Sequence, residues 1–423
     1  MKTAGKKISI VTLGCARNVV DSEKILGDVL AAGARHVGLD EAEIAVFNTC
    51  GFTQEAKCES LEVLEALLAL KRRGRLRALY VVGCLVQRYR RELTEAFPQV
   101  DGFQGIADFK TIFPARARLT GAHTAYVKIS EGCANPCTYC AIPIIKGPLR
   151  SRRPASVLRE VRALEAQGVR EINIVGQDIT LYGRGRRCRK GRLPLVRLVK
   201  KILATTRIPW IRLLYLHPKR LADELIDLIA AEPRVCSYVD VPLQHVSTRI
   251  LKAMGRRMTR GEVFATVERL RRRIPAAALR TAFIVGFPGE TKRDFRELCE
   301  AVTHLRFDRM GVFVYSREEG TRAYGLARQR SSRVKRERMD HLMRLQAGVS
   351  RSNLRRDVGR RLDIMIETRG GSPGTFIGRS YKDAPEVDGT VRVRARRTLE
   401  PGDIVACRIT SSSTHDLTGE LIL

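Results

Sequence analysis

Over the first hundred residues, short apolar runs alternate with longer stretches whose apolar positions recur at helical spacing. Ile8–Leu13 predicts a buried strand, followed by Gly14-Cys15 and a helix from about Asp21, taken as its N-cap, to Ala32. Ile44–Asn48 predicts a second strand, then Cys50 and a helix over Gln54–Arg72. Ala78–Val82 predicts a third, then Gly83-Cys84 and a helix near Arg88–Phe97. Strands apolar throughout, each followed by a helix, predict a parallel sheet covered on both faces.

The rhythm continues from 124 to 355. Strands are expected at Ala125–Ile129, Glu171–Val175, Ile211–Tyr215, Tyr238–Val241, Ala282–Val285 and Gly311–Tyr315. Between them, Pro154–Gln167, Leu221–Ala231, Gly261–Arg273 and Lys292–Leu305 read as helices. Such units predict a full or partial (β/α) barrel, whose chemistry sits at the C-terminal ends of its strands. Ser331–Arg356 predicts one long basic helix leading out of it. Beyond 360 the character changes. Leu362–Glu367, Thr375–Ser380, Thr390–Arg394, Ile404–Thr410 and Thr418–Leu423 read as strands, with turns at Gly370-Gly371, Asp388-Gly389 and Pro401-Gly402. They predict a small all-β barrel of OB-like size. The expected fold is α/β: a parallel-sheet α/β domain (1–122), a partial (β/α) barrel (123–356) and a small β-barrel (357–423).

With 423 residues, 44% of them hydrophobic, the chain has material for several buried cores. No apolar stretch approaches the roughly 18 residues that cross a bilayer. The best, Leu61–Leu70, is broken by glutamates, and Ile8–Leu13 behind Lys2, Lys6 and Lys7 is too short for a signal sequence. A cytoplasmic chain with no membrane partner is expected. The charge is +32 and uneven: residues 1–122 carry 18 basic and 14 acidic side chains, 366–423 carry 8 of each, and +28 falls in 123–365. That excess fits either a basic compositional bias or a polyanionic partner such as RNA or a ribosome.

The eleven cysteines are an odd number, which argues for a reducing compartment and for metal or thiol chemistry over a disulfide framework. Cys133, Cys137 and Cys140 form C-x3-C-x2-C just after a strand. Three thiolates on one tight loop can hold three irons of a [4Fe–4S] cluster and leave the fourth open to a chelating ligand such as S-adenosylmethionine. A structural zinc would want four ligands, and no fourth follows at suitable spacing. Cys15, Cys50 and Cys84 lie one βα unit apart, each within two residues of an expected strand's C-terminal end. In a parallel sheet those ends share an edge, so the three can converge on a second cluster with an open iron. Cys58, Cys188, Cys236, Cys299 and Cys407 share no spacing and read as core or incidental.

Gly176-Gln177 follows the second barrel strand, and Gly286 and Glu290 belong to the Gly286–Glu290 turn after the fifth. Glycine admits a ligand close to the backbone, and the polar side chains can bind a cofactor's amino or ribose groups. Gln244 has similar standing. His217 and His245, just after barrel strands, read as satisfied structural histidines. No side chain is assigned as a general acid or base.

With these features the chain resembles the radical S-adenosylmethionine methylthiotransferases over essentially its whole length. The order matches: an N-terminal domain with three cysteines, a radical domain with C-x3-C-x2-C and Tyr139 in the usual aromatic place, and a C-terminal TRAM barrel. Several segments resemble the branch that modifies ribosomal protein S-twelve: Thr12-Leu13-Gly14-Cys15, Val20-Asp21-Ser22-Glu23, Asn48-Thr49-Cys50-Gly51-Phe52, Leu214-Tyr215-Leu216-His217-Pro218, Asp240–His245 and Gly378–Gly389. Ala16-Arg17 departs from the Pro-Lys usual there and leaves the six cysteines intact.

The resemblance implies two [4Fe–4S] clusters and S-adenosylmethionine. It implies a deoxyadenosyl radical that takes hydrogen from the β-carbon of an S-twelve aspartate, and transfer of a methylthio group to that carbon. It also implies a reducing electron donor and a sulfur source as partners. The same chemistry on an adenosine beside the tRNA anticodon is the rival reading, favoured by the basic barrel and opposed by the neutral C-terminal domain. An S-twelve seated on its ribosome, among RNA phosphates, would reconcile basic enzyme with basic substrate. An iron–sulfur RNA-binding or redox-sensing protein is the alternative from another class.

Overall fold

The structure is a computed structural model that describes residues 4–106, 116–184 and 193–422. β1 (Lys7–Thr12), β2 (Arg35–His36), β3 (Ile44–Thr49), β4 (Ala78–Gly83) and β5 (Gly102–Gln104) form a parallel sheet in the order β2-β1-β3-β4-β5. Every residue of β3 is buried, because alternate side chains feed opposite cores. Ala45 and Phe47 pack with Leu64, Leu67, Leu68 and Leu85 of α2 (Gln54–Arg72) and α3 (Cys84–Ala96). Ile44 and Val46 pack with Leu26 and Val29 of α1 (Ala16–Ala31). Each such aliphatic side chain contributes roughly 1.5–3 kcal/mol when fully buried.

Two helices begin earlier than their apolar periodicity predicts. Helix α1 starts at Ala16 with Cys15 as N-cap, so Asp21 lies inside the helix and caps nothing. Its Asn18, Asp21, Ser22, Glu23 and Lys24 are buried against polar partners, which hides the first turns from a hydrophobic pattern. Helix α3 likewise starts at Cys84, with a kink at Tyr89.

The central domain is an open barrel of two three-stranded parallel sheets. One has the order β10-β9-β6, from β6 (Thr124–Lys128), β9 (Glu171–Val175) and β10 (Trp210–Leu213). The other has the order β11-β12-β13, from β11 (Tyr238–Asp240), β12 (Ala278–Val285) and β13 (Arg309–Val314). A parallel bridge between Ile211 and Val235 joins them. A hairpin of β7 (Ser130–Glu131) and β8 (Arg150–Ser151) and the short helix α4 (Ile142–Lys146) follow β6. Helices α5 (Pro154–Ala166), α6 (Pro194–Thr205), α7 (Asp223–Ala231), α8 (Thr248–Ala253), α9 (Arg260–Arg273), α10 (Lys292–Leu305) and α11 (Ser332–Arg355) complete the domain. Ile172, Ile174, Ile211 and Leu213 face the helices, whereas Val175, Trp210 and Leu214 face the other way and join Met365 and Ala384 of the C-terminal domain.

The C-terminal domain is a closed barrel, β14-β15-β16-β18-β17, of β14 (Arg361–Arg369), β15 (Thr375–Ser380), β16 (Val391–Arg394), β17 (Ile404–Ser412) and β18 (Leu417–Leu421). The segment after β15 docks on the central domain: Tyr238 Oη donates to Asp388 Oδ2 at 2.6 Å, Arg309 pairs with Asp383, and Arg212 Nη1 donates to the Tyr381 carbonyl at 2.6 Å. Among the described residues no helix is long and apolar enough to cross a membrane.

Candidate metal and cofactor site

Strand register brings the turns that carry three distant cysteines to one edge of the sheet. Thr12 pairs with Asn48, Asn48 with Val82 and Thr49 with Gly83, so the strands preceding Cys15, Cys50 and Cys84 end at one level. Polar side chains then fix the three turns. Asn18 Nδ2 donates to the carbonyls of Leu13 (2.9 Å) and Thr49 (3.1 Å), and Asn48 Nδ2 donates to the carbonyl of Asn18 and to Ser22 Oγ, both at 2.9 Å. Ser60 Oγ accepts from the Cys50 N–H and donates to its carbonyl, at 3.1 and 2.8 Å. Gly83 has φ +102°, and a Cβ there would fall 2.8 Å from the Thr49 carbonyl oxygen, so this turn requires glycine.

The second triplet leaves β7 at Gly132, where φ is +73° and a Cβ would fall 2.5 Å from the Gly147 carbonyl oxygen. The loop is held at several points. Thr138 N–H donates to the Met254 carbonyl at 3.0 Å and Thr138 Oγ1 to that of Ala253 at 2.8 Å. Asn135 Nδ2 donates to Asp178 Oδ2 at 2.8 Å, and Arg220 clamps both. The Asn135 N–H points at Cys133 Sγ (3.4 Å) and Arg256 Nη1 at Cys137 Sγ (3.8 Å). Tyr139 packs with Ile250, Met254, Phe287 and Tyr315.

The two triplets are neighbours. Cys84 packs on Ala141 and Ile145, just past Cys140. Arg17 Nε donates to Cys15 Sγ at 3.3 Å, and its Nη1 reaches the Gly176 carbonyl of the barrel at 3.0 Å. Between the domains Asp21 of α1 pairs with Lys128 and Lys146, which both also pair with Glu131, at 2.7 and 3.5 Å. Burial would raise the Glu131 carboxyl, but the two lysines hold it down to about 2.

Burial pushes the Cys84 and Cys140 thiols up to about 12, and raises those of Cys50 and Cys133. Cys15 alone among these is lowered: burial opposes ionisation, and Arg17 outweighs it. To be held as thiolates, the raised groups would require a cationic partner beside them. Among the described residues no three His, Cys, Asp or Glu side chains converge tightly enough for a single metal ion. A four-iron cluster takes one thiolate per iron, so a set of three cysteines would bind three of its irons.

Beside the second triplet, Ser130 Oγ and Gln177 Oε1 are buried without hydrogen-bond partners, and a Cβ on Gly176 would fall 2.5 Å from Ser130 Oγ. Gln177 Nε2 donates to Glu131 at 2.9 Å. Asn173, on β9 just before this turn, is buried with neither amide atom paired. These unfilled polar atoms fit a polar ligand such as S-adenosylmethionine. The structure thus brings Gly176 and Gln177 to the cysteine loop. Gln244 stands at the mouth between β11 and β12 with φ +74°, its N–H donating to the Ala282 carbonyl at 2.8 Å. Gly286 and Glu290 turn toward α11 instead: a Cβ on Gly286 would meet Lys335, and Glu290 pairs with Arg338 at 2.7 Å while accepting from the Phe287 N–H at 3.0 Å.

His217 and His245 accept backbone N–H donors at Nδ1, at 3.3 and 3.0 Å, and burial lowers them to about 2 and about 3, so both are neutral. Cys236 and Cys407 are buried in cores, Cys299 packs at a core's edge, Cys58 is exposed, and Cys188 lies outside the described residues. Asn18, Ser60, Asn135, Asn173, Lys146 and Arg256 were not singled out from sequence. Asparagine inside an apolar strand, as at Asn173, is the signal that was available.

Comparison with known proteins gives a consistent picture. The radical SAM superfamily matches residues 127–302, the TRAM domain 358–422, and a family described as uncharacterized protein family UPF0004 matches 7–105. The chain is 45% identical to the ribosomal protein uS12 methylthiotransferase RimO of Geobacter sulfurreducens, over all of both chains. It is 44% identical to that of Geotalea uraniireducens, over 99% of this chain and 98% of the relative. The RimO of Desulforudis audaxviator is 40% identical, over 100% and 98%. Among solved structures, the radical S-adenosylmethionine methyltransferase TsrM from Kitasatospora setae, with cobalamin and a [4Fe-4S] cluster bound, aligns at TM-score 0.53 and 14% identity over 88% of this chain and 77% of that one. That likeness is one of fold.

Proposed function

The chain belongs to the RimO family of ribosomal protein uS12 methylthiotransferases, and from that premise we propose that it methylthiolates the β-carbon of an aspartate in uS12, called S-twelve above. Cys133, Cys137 and Cys140 hold one [4Fe–4S] cluster and Cys15, Cys50 and Cys84 the other. Residues 1–122, 123–356 and 357–423 act as the sulfur-carrying, radical and TRAM domains. The observation that carries this reading is the contact of Cys84 with Ala141 and Ile145, which sets the two triplets side by side. Radical chemistry at one centre and sulfur transfer from the other need such proximity.

When bound, the clusters and S-adenosylmethionine supply hydrogen abstraction and methylthio transfer. The chain supplies position and a closed site. Asn135 N–H and Arg256 orient Cys133 and Cys137, and the Asp178–Arg220 pair braces the loop between them. Gly176 leaves room at the barrel rim, where Ser130 and Gln177 bind polar groups of S-adenosylmethionine. The quartet of Asp21, Lys128, Glu131 and Lys146 joins the two domains through buried, paired charge.

The direct test is the intact mass of uS12 from cells with and without this gene. Loss of one methylthio-for-hydrogen exchange in the deletion strain is the expected result. An unchanged mass would overturn the substrate and turn attention to the tRNA nucleosides. A structural test is Gly83→Ala. The added methyl collides with the Thr49 carbonyl at the turn beside Cys50, so iron should fall from ~8 to ~4 per chain in reconstituted protein. Full iron content in this variant would count against the assignment of Cys50 and Cys84 as ligands.

A further inference from the structure

Arg17 stands where the two cysteine sites face each other. One edge of its guanidinium meets Cys15 Sγ (3.3 Å) and another meets the Gly176 carbonyl (3.0 Å), tying the end of the N-terminal sheet to the rim of the barrel. Its Cζ lies 4.9 Å from the ring centre of Tyr215, so the group is stacked as well as hydrogen-bonded. Its charge reaches Cys15 and Cys50 of one triplet and Cys140 of the other. A lysine could supply the charge from one flexible ammonium, whereas the guanidinium donates to sulfur and to carbonyl from two nitrogens of a rigid planar fork.

We propose that Arg17 is a positioning residue shared by both sites: it fixes the Cys15 sulfur against the Gly176 turn and raises the reduction potential of the cluster held by Cys15, Cys50 and Cys84. The proposal rests on the reading that this triplet holds a cluster. The physical argument has two parts. Reduction by one electron from an external donor adds negative charge to the cluster, and a fixed cation beside a ligand sulfur stabilises that form more than the oxidised one. An N–H donor to the sulfur acts in the same direction, since net charge and hydrogen bonding to sulfur both set such potentials. Removing the guanidinium removes both terms from the N-terminal cluster. The other cluster lacks a direct Arg17–sulfur hydrogen bond and should feel only the weaker, longer-range charge.

The test is a dithionite titration, with redox mediators and paramagnetic resonance, of the reconstituted full-length protein. Full-length variants lacking one or the other triplet assign the two signals. In Arg17→Gln the N-terminal signal should move to a more negative potential, with a smaller shift of the other. Arg17→Lys should bring it back toward the wild-type value. Loss of iron from the N-terminal site to a chelator should still be faster in Arg17→Lys than in wild type, because a flexible ammonium holds Cys15 to the Gly176 turn less rigidly than the planar fork does. Two loaded clusters with unmoved potentials in Arg17→Gln would overturn the tuning role. If Arg17→Gln failed to load, an N-terminal potential in Arg17→Lys far from the wild-type value would overturn it as well. Wild-type rates of iron loss in Arg17→Lys would overturn the positioning role. A wild-type protein that loads a single cluster would overturn the two-cluster reading beneath, and the proposal with it.

Discussion

Cys50→Ala is expected to leave formation of 5′-deoxyadenosine from S-adenosylmethionine within several-fold of wild type and to abolish methylthiolation of uS12. Cys137→Ala is expected to abolish both. The asymmetry follows from where the two thiols sit. Cys137 belongs to the loop braced by Thr138, Asn135 and Arg256 against the barrel, beside the Gly176 turn. Cys50 sits on the sheet edge of the other domain, tied to Ser60, and touches none of that bracing. Loss of a supporting partner costs a metal site about 10–100-fold, so loss of a ligand should exceed ~100-fold in the affected step. Chromatography of the nucleoside product and the mass of uS12 read the two steps separately. Methylthiolation that survived Cys50→Ala would sink the two-cluster reading. Nucleoside formation that survived Cys137→Ala would sink the assignment of the radical site.

Sequence exposed the parts of this molecule whose chemistry is periodic. The strands of the first domain are apolar on both faces and one βα unit apart, so Cys15, Cys50 and Cys84 repeat in phase with them, and the register of β1, β3 and β4 puts them on one edge. It missed what is polar and buried. Asp21 reads as a helix cap from sequence, yet it lies inside α1, where its carboxylate pairs across the domain seam with Lys128 and Lys146. Gly286 and Glu290 are candidate ligand contacts because they follow a barrel strand. Only the packing of α11, far along the chain, shows that Arg338 meets Glu290 and Lys335 faces Gly286. The large positive charge was the least legible feature. Arg212, Arg309 and Arg379 are buried against the carboxylates of Glu171, Asp383 and Glu367, so these charges cancel and the excess is carried by other residues.

Those internal charges set the largest expected effect on stability. Glu171, on β9, has no exposed side-chain surface; it accepts from Arg212 Nε at 2.9 Å and pairs with Arg379 of the C-terminal barrel, which also binds Thr124 Oγ1 at 3.1 Å and Glu367 at 2.5 Å. Glu171→Ala would leave two buried guanidinium groups facing each other without their shared anion, a change expected to cost about 3–5 kcal/mol. The exposed pair of Arg369 and Glu400 is the control, and Glu400→Gln should stay within about 0.5 kcal/mol. Trp210, the single tryptophan, packs with Met365 and Ala384 of the C-terminal barrel, so its fluorescence reports this interface during denaturant unfolding. The pH dependence has a definite sign. Burial raises the Glu171 carboxyl, but Arg379 and Arg212 outweigh it and hold it below the ordinary range. A depressed carboxyl stabilises the fold above its unfolded value of about 4.3 and loses that contribution as pH falls toward its lower folded value. The wild-type interface should therefore loosen below pH ~4.3, and the Glu171→Ala variant should lack that part of the acid dependence. Equal unfolding midpoints for Glu171→Ala and wild type at neutral pH would mean that the ion pairs of Glu171 add nothing to the docking of the C-terminal barrel.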